Sequence, residues 1–173
     1  YLRSRTRLEP LRDYGALALV AHSMGGLVVQ RALVDDSGLV GRTSHVLLYG
    51  TPSGGLDKAR WGGFLKVQIR DMGTGSECRV TLRRRGDEQF GSSRPLRFGT
   101  VAGDRDVFVP ASSSLAPFPS DTQVVGPGNH LEICQARAAT DMTVRVLVDA
   151  LAGEAPGGRW NSARVAVERR QFH

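Results

Sequence analysis

The run Leu17-Ala18-Leu19-Val20-Ala21-His22-Ser23-Met24-Gly25-Gly26 constrains this chain more than any other segment. Residues 16–21 are wholly apolar, as in a strand buried on both faces of a parallel sheet. Met24 to Val34 then reads as a helix, and Asp35-Asp36-Ser37-Gly38 closes it. A chain that passes from strand to helix within a single turn admits only small side chains two positions before and two after the turning residue. Ala21 and Gly25 stand there, with alanine where the G-x-S-x-G pattern has its first glycine. Such a turn pushes Ser23 out at the end of a sheet. A hydroxyl, a weak nucleophile by itself, needs that exposure and a neighbouring base.

The rest of the chain continues the alternation. A second buried strand is expected at 44–49, ended by Gly50-Thr51-Pro52, a third at 96–102 and a fourth at 122–125. Met142, Val146, Leu147 and Leu151 give helical spacing to 138–151, and Leu2, Leu8 and Leu11 suggest the tail of a helix over 1–13, disturbed by Pro10. The expected fold is α/β: a mostly parallel sheet with helices on both faces. Its 173 residues suffice for one domain with a sizeable core. Residues 53–95 are glycine-rich with weak periodicity, and their position predicts a cap or lid over the carboxyl ends of the strands. The domain is expected to span 1–152, and 153–173 to form a loop and charged tail linking to a further region.

A nucleophilic serine needs a base, and the base needs an orienting acid. The third expected strand runs into Gly103-Asp104-Arg105-Asp106-Val107-Phe108-Val109-Pro110, and the fourth into Gly126-Pro127-Gly128-Asn129-His130. Both loops lie at the sheet edge of Ser23. Asp104 and Asp106 compete for the acid. Asp104 has the alternative task of tying backbone amides in a tight turn, and Asp106, just before Val-Phe-Val-Pro, is favoured. His130 is the candidate base, the one histidine of four that follows a late strand. His22 is expected to point away from Ser23 across the turn and to pack or hydrogen-bond beneath it. His45 is expected to be structural, and nothing assigns a role to His173. The backbone N–H of Met24, at the start of the helix, is the candidate donor for an oxyanion.

Other chemistries find less support. The formal net charge of +6 comes mostly from scattered arginines, clustered only at 83–85 and 169–170. Aromatic residues make up 6% of the chain and do not interleave with them, so nucleic-acid binding is not expected. Cys78 and Cys134 are far apart, without metal-ligand spacing, and read as buried or incidental thiols. No metal and no organic cofactor are expected. No apolar run approaches the roughly 18 residues that span a bilayer.

Five blocks together carry a family resemblance: Ala21-His22-Ser23-Met24-Gly25-Gly26, Leu48-Tyr49-Gly50-Thr51-Pro52-Ser53-Gly54-Gly55, Asp71-Met72-Gly73-Thr74-Gly75-Ser76, residues 101–110, and Asn129-His130-Leu131-Glu132-Ile133-Cys134. With them the chain resembles α/β-hydrolases, and more narrowly the serine esterases and lipases grouped around the GPI-inositol deacylases. The resemblance covers roughly 15–151. It implies Ser23 as nucleophile, Asp106 as acid, His130 as base and Met24 as an oxyanion donor. It further implies cleavage of small-molecule or lipid esters through an acyl-enzyme and fusion to further domains, while the net charge of +6 suits peripheral contact with an anionic membrane surface. Ser23 lies only about 20 residues from Tyr1. The expectation is therefore a C-terminal portion of such a domain, with the early strands and the loop bearing a second oxyanion donor lying before Tyr1. A catalytically incomplete regulatory or interaction module and an acyltransferase are the alternatives.

Overall fold

Seven consecutive buried residues, Thr43 to Tyr49, form an interior strand of a four-stranded sheet. The computed structural model describes residues 11–55 and 96–153. Within them the strands are β1 (Leu17–His22), β2 (Thr43–Tyr49), β3 (Arg97–Gly103) and β4 (Gln123–Gly126). They lie in the order β1-β2-β3-β4, and every pairing is parallel. Each strand agrees with its sequence-based expectation to within one residue at either end. The helices are α1 (Met24–Asp35), α2 (Ser37–Arg42), α3 (Ala111–Leu115) and α4 (Met142–Ala152).

Side chains alternate across a strand, so the interior strands β2 and β3 feed two separate cores. On one face Leu17, Val46, Leu48 and Leu96 meet Val29, Ala32 and Leu33 of α1 and Leu39 and Val40 of α2. Phe98 and Phe118 extend this core, with ring centroids 4.6 Å apart. On the other face Leu47, Tyr49, Val101 and Ile133 pack beneath Val146, Leu147 and Ala150 of α4. Helices therefore cover both faces. Tyr49 ties the second layer down: its hydroxyl donates to the Thr143 carbonyl at 2.9 Å, and burial pushes its pKa up to about 12.

Two element boundaries differ from expectation, each for a local reason. Asp35-Asp36-Ser37-Gly38 closes α1 but also opens α2, because the buried Asp36 carboxylate accepts the Leu39 N–H at 3.2 Å and caps the next helix. The last helix starts at Met142 rather than 138. The Asp141 carboxylate accepts the N–H groups of Arg137 (2.7 Å) and Ala138 (3.0 Å), folding the preceding residues into a turn. These two bonds hold its pKa below the usual 3.8. Leu11–Asp13 is a short 3-10 turn. The start of the expected cap rests on α3, since Gly54 N–H donates to the Ser113 carbonyl at 2.7 Å and Ser113 Oγ donates to the Gly55 carbonyl. The remainder of the cap (56–95, with Cys78, the 71–76 block and the 83–85 arginines), residues 1–10 and the tail from 154, with His173, lie outside the described residues. Among the described residues, no helix is long and apolar enough to cross a membrane.

His45, in β2, is buried, with its ring nitrogens against Ser44 Oγ (3.0 Å) and the Gly153 carbonyl (3.3 Å). Burial lowers its pKa from the ordinary 6.5. The unfolded chain then binds the proton first, so this contribution is intact above 6.5 and is lost as pH falls from there toward the depressed folded value. Urea titrations at about pH 7.5 and about pH 5.5 should show lower stability at the acid pH. The acid loss should be smaller in His45→Gln.

Candidate active site

Parallel strands bring all four carboxyl ends to one edge of the sheet, and the candidate residues stand on the loops that leave it. Ser23 is the single residue between β1 and α1. Its backbone has φ 55° and ψ −129°, the one positive φ at a non-glycine residue among those described. Such a conformation costs on the order of 1–3 kcal/mol and persists where surrounding contacts over-determine it. Here Ser23 N–H donates to the Tyr49 carbonyl at 2.8 Å, joining the turn to the end of β2. Ser23 occupies the N-cap position of α1, yet its side chain makes no capping bond. Its Oγ is turned instead toward His130 Nε2, 2.9 Å away. The first N–H groups of a helix have no intrahelical acceptor, and Met24 supplies the first of α1, immediately beside Ser23.

Asp106 follows β3 and is buried. Its Oδ1 accepts the N–H groups of Phe108 (3.0 Å) and Val109 (2.8 Å), and its Oδ2 lies 2.7 Å from His130 Nδ1. Three hydrogen bonds thus fix both oxygens of the carboxylate. Asp104, the competing aspartate, is turned elsewhere: its Oδ1 accepts the Gly128 N–H at 2.8 Å and pairs with Arg105. It ties the β3 loop to the β4 loop and does not reach His130.

The loop carrying His130 is shaped by a reciprocal capping arrangement. Asn129 Oδ1 accepts the Leu131 and Glu132 N–H groups, and Glu132 Oε2 accepts the Asn129 N–H at 2.9 Å. Ile133, almost fully buried, anchors the following turn in the second core. His130 is itself buried, and the Phe108 ring meets it edge-on at 5.9 Å. Val107, Phe108 and Leu131 are exposed on these two loops.

His22 was expected to turn away and settle beneath the elbow. It is half-buried, and its ring lies against that of His130 with centroids 4.6 Å apart. Its Nε2 is 2.7 Å from the His130 backbone oxygen, and burial lowers its pKa from 6.5. Two other groups escaped notice in the sequence. Gly50 takes φ 51°, and a Cβ there would stand 3.3 Å from both Asp106 Oδ2 and His130 Nδ1 and 2.9 Å from Ile133. Gly26 faces Thr51 so closely that a Cβ would fall 2.6 Å from its Cγ2 and 2.8 Å from its Cβ. Gly25, the glycine of the serine pattern, is less crowded, with only the Ala21 Cβ at 3.9 Å. A glycine directly after the run Val46-Leu47-Leu48-Tyr49 is the signal for Gly50; nothing local in the sequence pairs Gly26 with Thr51. Cys134 is exposed with a free thiol. Among the described residues no cluster of His, Cys, Asp or Glu could hold a metal ion.

Sequence comparison finds no protein-family model that matches the chain and no curated protein similar to it. Solved structures do resemble it. A meta-cleavage product hydrolase from Pseudomonas fluorescens superposes with a TM-score of 0.51 at 16% identity, over 81% of this chain and 66% of that one. The alpha/beta hydrolase domain-containing protein 10 from mouse gives a TM-score of 0.46 at 12% identity, over 99% of this chain and 68% of that one. The chain spans just under two thirds of the bacterial enzyme's length. The parallel sheet, its helices on both faces and the first of these likenesses show an α/β-hydrolase fold.

The contacts of the two glycines predict unequal effects of adding a methyl group. Gly26→Ala must displace Thr51 or the first turn of α1 and should cost about 1–3 kcal/mol of stability in urea unfolding. Gly25→Ala, meeting Ala21 at ordinary van der Waals distance, should stay within about 0.5 kcal/mol of the parent.

Proposed function

We propose that this chain carries the reacting groups of a serine hydrolase that cleaves carboxylic esters through an acyl-enzyme, with Ser23 as nucleophile, His130 as base and Asp106 as orienting acid. The observation that carries the reading is the unbroken line of hydrogen bonds from Ser23 Oγ through both ring nitrogens of His130 to Asp106. His130 Nε2 takes the hydroxyl proton as Ser23 Oγ attacks the ester carbonyl carbon. The tetrahedral intermediate collapses as the imidazolium gives that proton to the leaving alkoxide. Water, deprotonated by the same nitrogen, then attacks the acyl-Ser23 carbonyl; the bond to Ser23 Oγ breaks as the imidazolium returns the proton to that oxygen, and the acid is released. Asp106 accepts from Nδ1–H, which keeps Nε2 free to receive a proton and stabilises the imidazolium. Met24 N–H is proposed to donate to the oxyanion at the positive end of the α1 dipole.

The choice of esters rests on two supports. The exposed apolar side chains of Val107, Phe108 and Leu131 stand on the loops that bear Asp106 and His130, and they suit an apolar acyl or alcohol group. The sequence blocks around the site favour the GPI-inositol-deacylase-like esterases and lipases, and hence small-molecule or lipid esters. The net charge of +6 suits peripheral contact with an anionic membrane surface. Residues 1–152 would then belong to the catalytic domain and 153–173 would lead toward a further region.

A fluorophosphonate probe tests the central claim. The parent protein should be labelled on Ser23, and Ser23→Ala should take no label and lose at least about 10³-fold in turnover of a p-nitrophenyl ester. Asp106→Asn, with the base in the wrong tautomer, should lose about 10⁴-fold in kcat. An unlabelled parent, or ester turnover that Ser23→Ala leaves unchanged, overturns the reading and favours a non-catalytic module.

A further inference from the structure

His130 is held at two points by two consecutive residues. Its Nε2 lies 2.9 Å from Ser23 Oγ, and its backbone oxygen lies 2.7 Å from His22 Nε2. Ser23 and His22 are covalent neighbours at the end of β1, so the two contacts and the peptide link close a ring around the base. A carbonyl oxygen only accepts, so Nε2 is the His22 nitrogen that donates in this contact. Burial lowers the pKa of this ring from 6.5, which suits it to lie 4.6 Å from a second imidazole that becomes cationic in the proposed reaction. Among the described residues, Asp106 bonds the far nitrogen of His130, and the Cα of Tyr49 pairs with that of His22 across the sheet.

We infer that His22 is a positioning residue for His130: its Nε2–H holds the backbone of the base, so that the nucleophile and the base keep a fixed separation. The inference rests on the serine-hydrolase reading. It adds that the residue before the nucleophile acts on the base rather than merely filling space beneath the turn. Strand geometry explains why one residue can do this. Successive side chains leave β1 on opposite faces, but Ser23 departs from strand geometry at φ 55°. Its side chain and that of His22 therefore converge on the same loop.

The test uses side chains that place a donor at known positions. Glutamine carries an N–H near the Nε2 position of histidine, asparagine carries one near Nδ1, and phenylalanine keeps the ring without a donor. With a p-nitrophenyl ester, His22→Phe and His22→Asn should lower kcat by about 10- to 100-fold with KM within about twofold. His22→Gln should return kcat to within about threefold of the parent. Urea midpoints of the variants separate this effect from loss of fold. On the unsubstituted protein, nitrogen NMR should show His22 protonated at Nε2 and bare at Nδ1, and the downfield Nδ1–H proton of His130 should be sharp; in His22→Phe it should broaden.

Equal kcat in folded His22→Phe and parent, failure of folded His22→Gln to recover what His22→Asn loses, or a His22 proton on Nδ1 each overturn the inference. If the parent neither labels with fluorophosphonate nor turns over ester, the serine-hydrolase reading fails. The tautomer of His22 and the His130 resonance then decide the positioning contact without reference to activity.

Discussion

The parallel register of the four strands is the constraint on which everything else depends. His22 pairs with Tyr49, Tyr49 with Val101, and Val101 with Val124, so the carboxyl ends of β1, β2, β3 and β4 come out nearly level at one edge. Residues far apart in the chain leave that edge side by side. Ser23 and His130, 107 positions apart, meet at 2.9 Å for this reason. The register in turn rests on cores on both faces, because a slip of one residue would turn Val46 and Leu48 into the layer that holds Leu47 and Tyr49.

The sheet edge also supports the one strained residue. A serine at φ 55° is held by the Tyr49 carbonyl on one side and by the first turn of α1 on the other. Gly26 allows that turn to come close to Thr51, and Gly50 allows Asp106 and His130 to seat against β2. The end of β2 contributes no proposed reacting group. It is nevertheless the surface against which the nucleophile turn, the acid and the base are all pressed. Substitutions there would act on the site through packing, which is why the stability of the Gly26 variants bears on the site as well as on the fold.

Much of this architecture was legible in local sequence. Apolar runs at 16–21 and 46–49 mark β1 and the end of β2 because both faces of a central strand are buried. Ala21, Ser23 and Gly25 mark a turn that crowding restricts, and the order Ser23, Asp106, His130 pointed to three loops at one edge. What local pattern could not supply was the choice among competing hydrogen bonds. Asp36 caps α2, Asp141 delays α4, and Asp104 and Asp106 divide their roles according to which partner each meets. For Asp104 and Asp106 the sequence favours the division that the structure has, but only the distances between the two loops fix it.

By itself, the sequence determined the strands, the sharp turn at Ser23 and the candidate groups, because burial periodicity and turn chemistry act over a few residues. Only the tertiary structure decided which aspartate faces His130, that the group His22 packs on and hydrogen-bonds is His130, and that the crowded glycines are Gly26 and Gly50 rather than Gly25. Those outcomes depend on distances between loops of different strands. Such distances are set by the register of the sheet and the packing of its two layers, and no short segment of the chain encodes them alone.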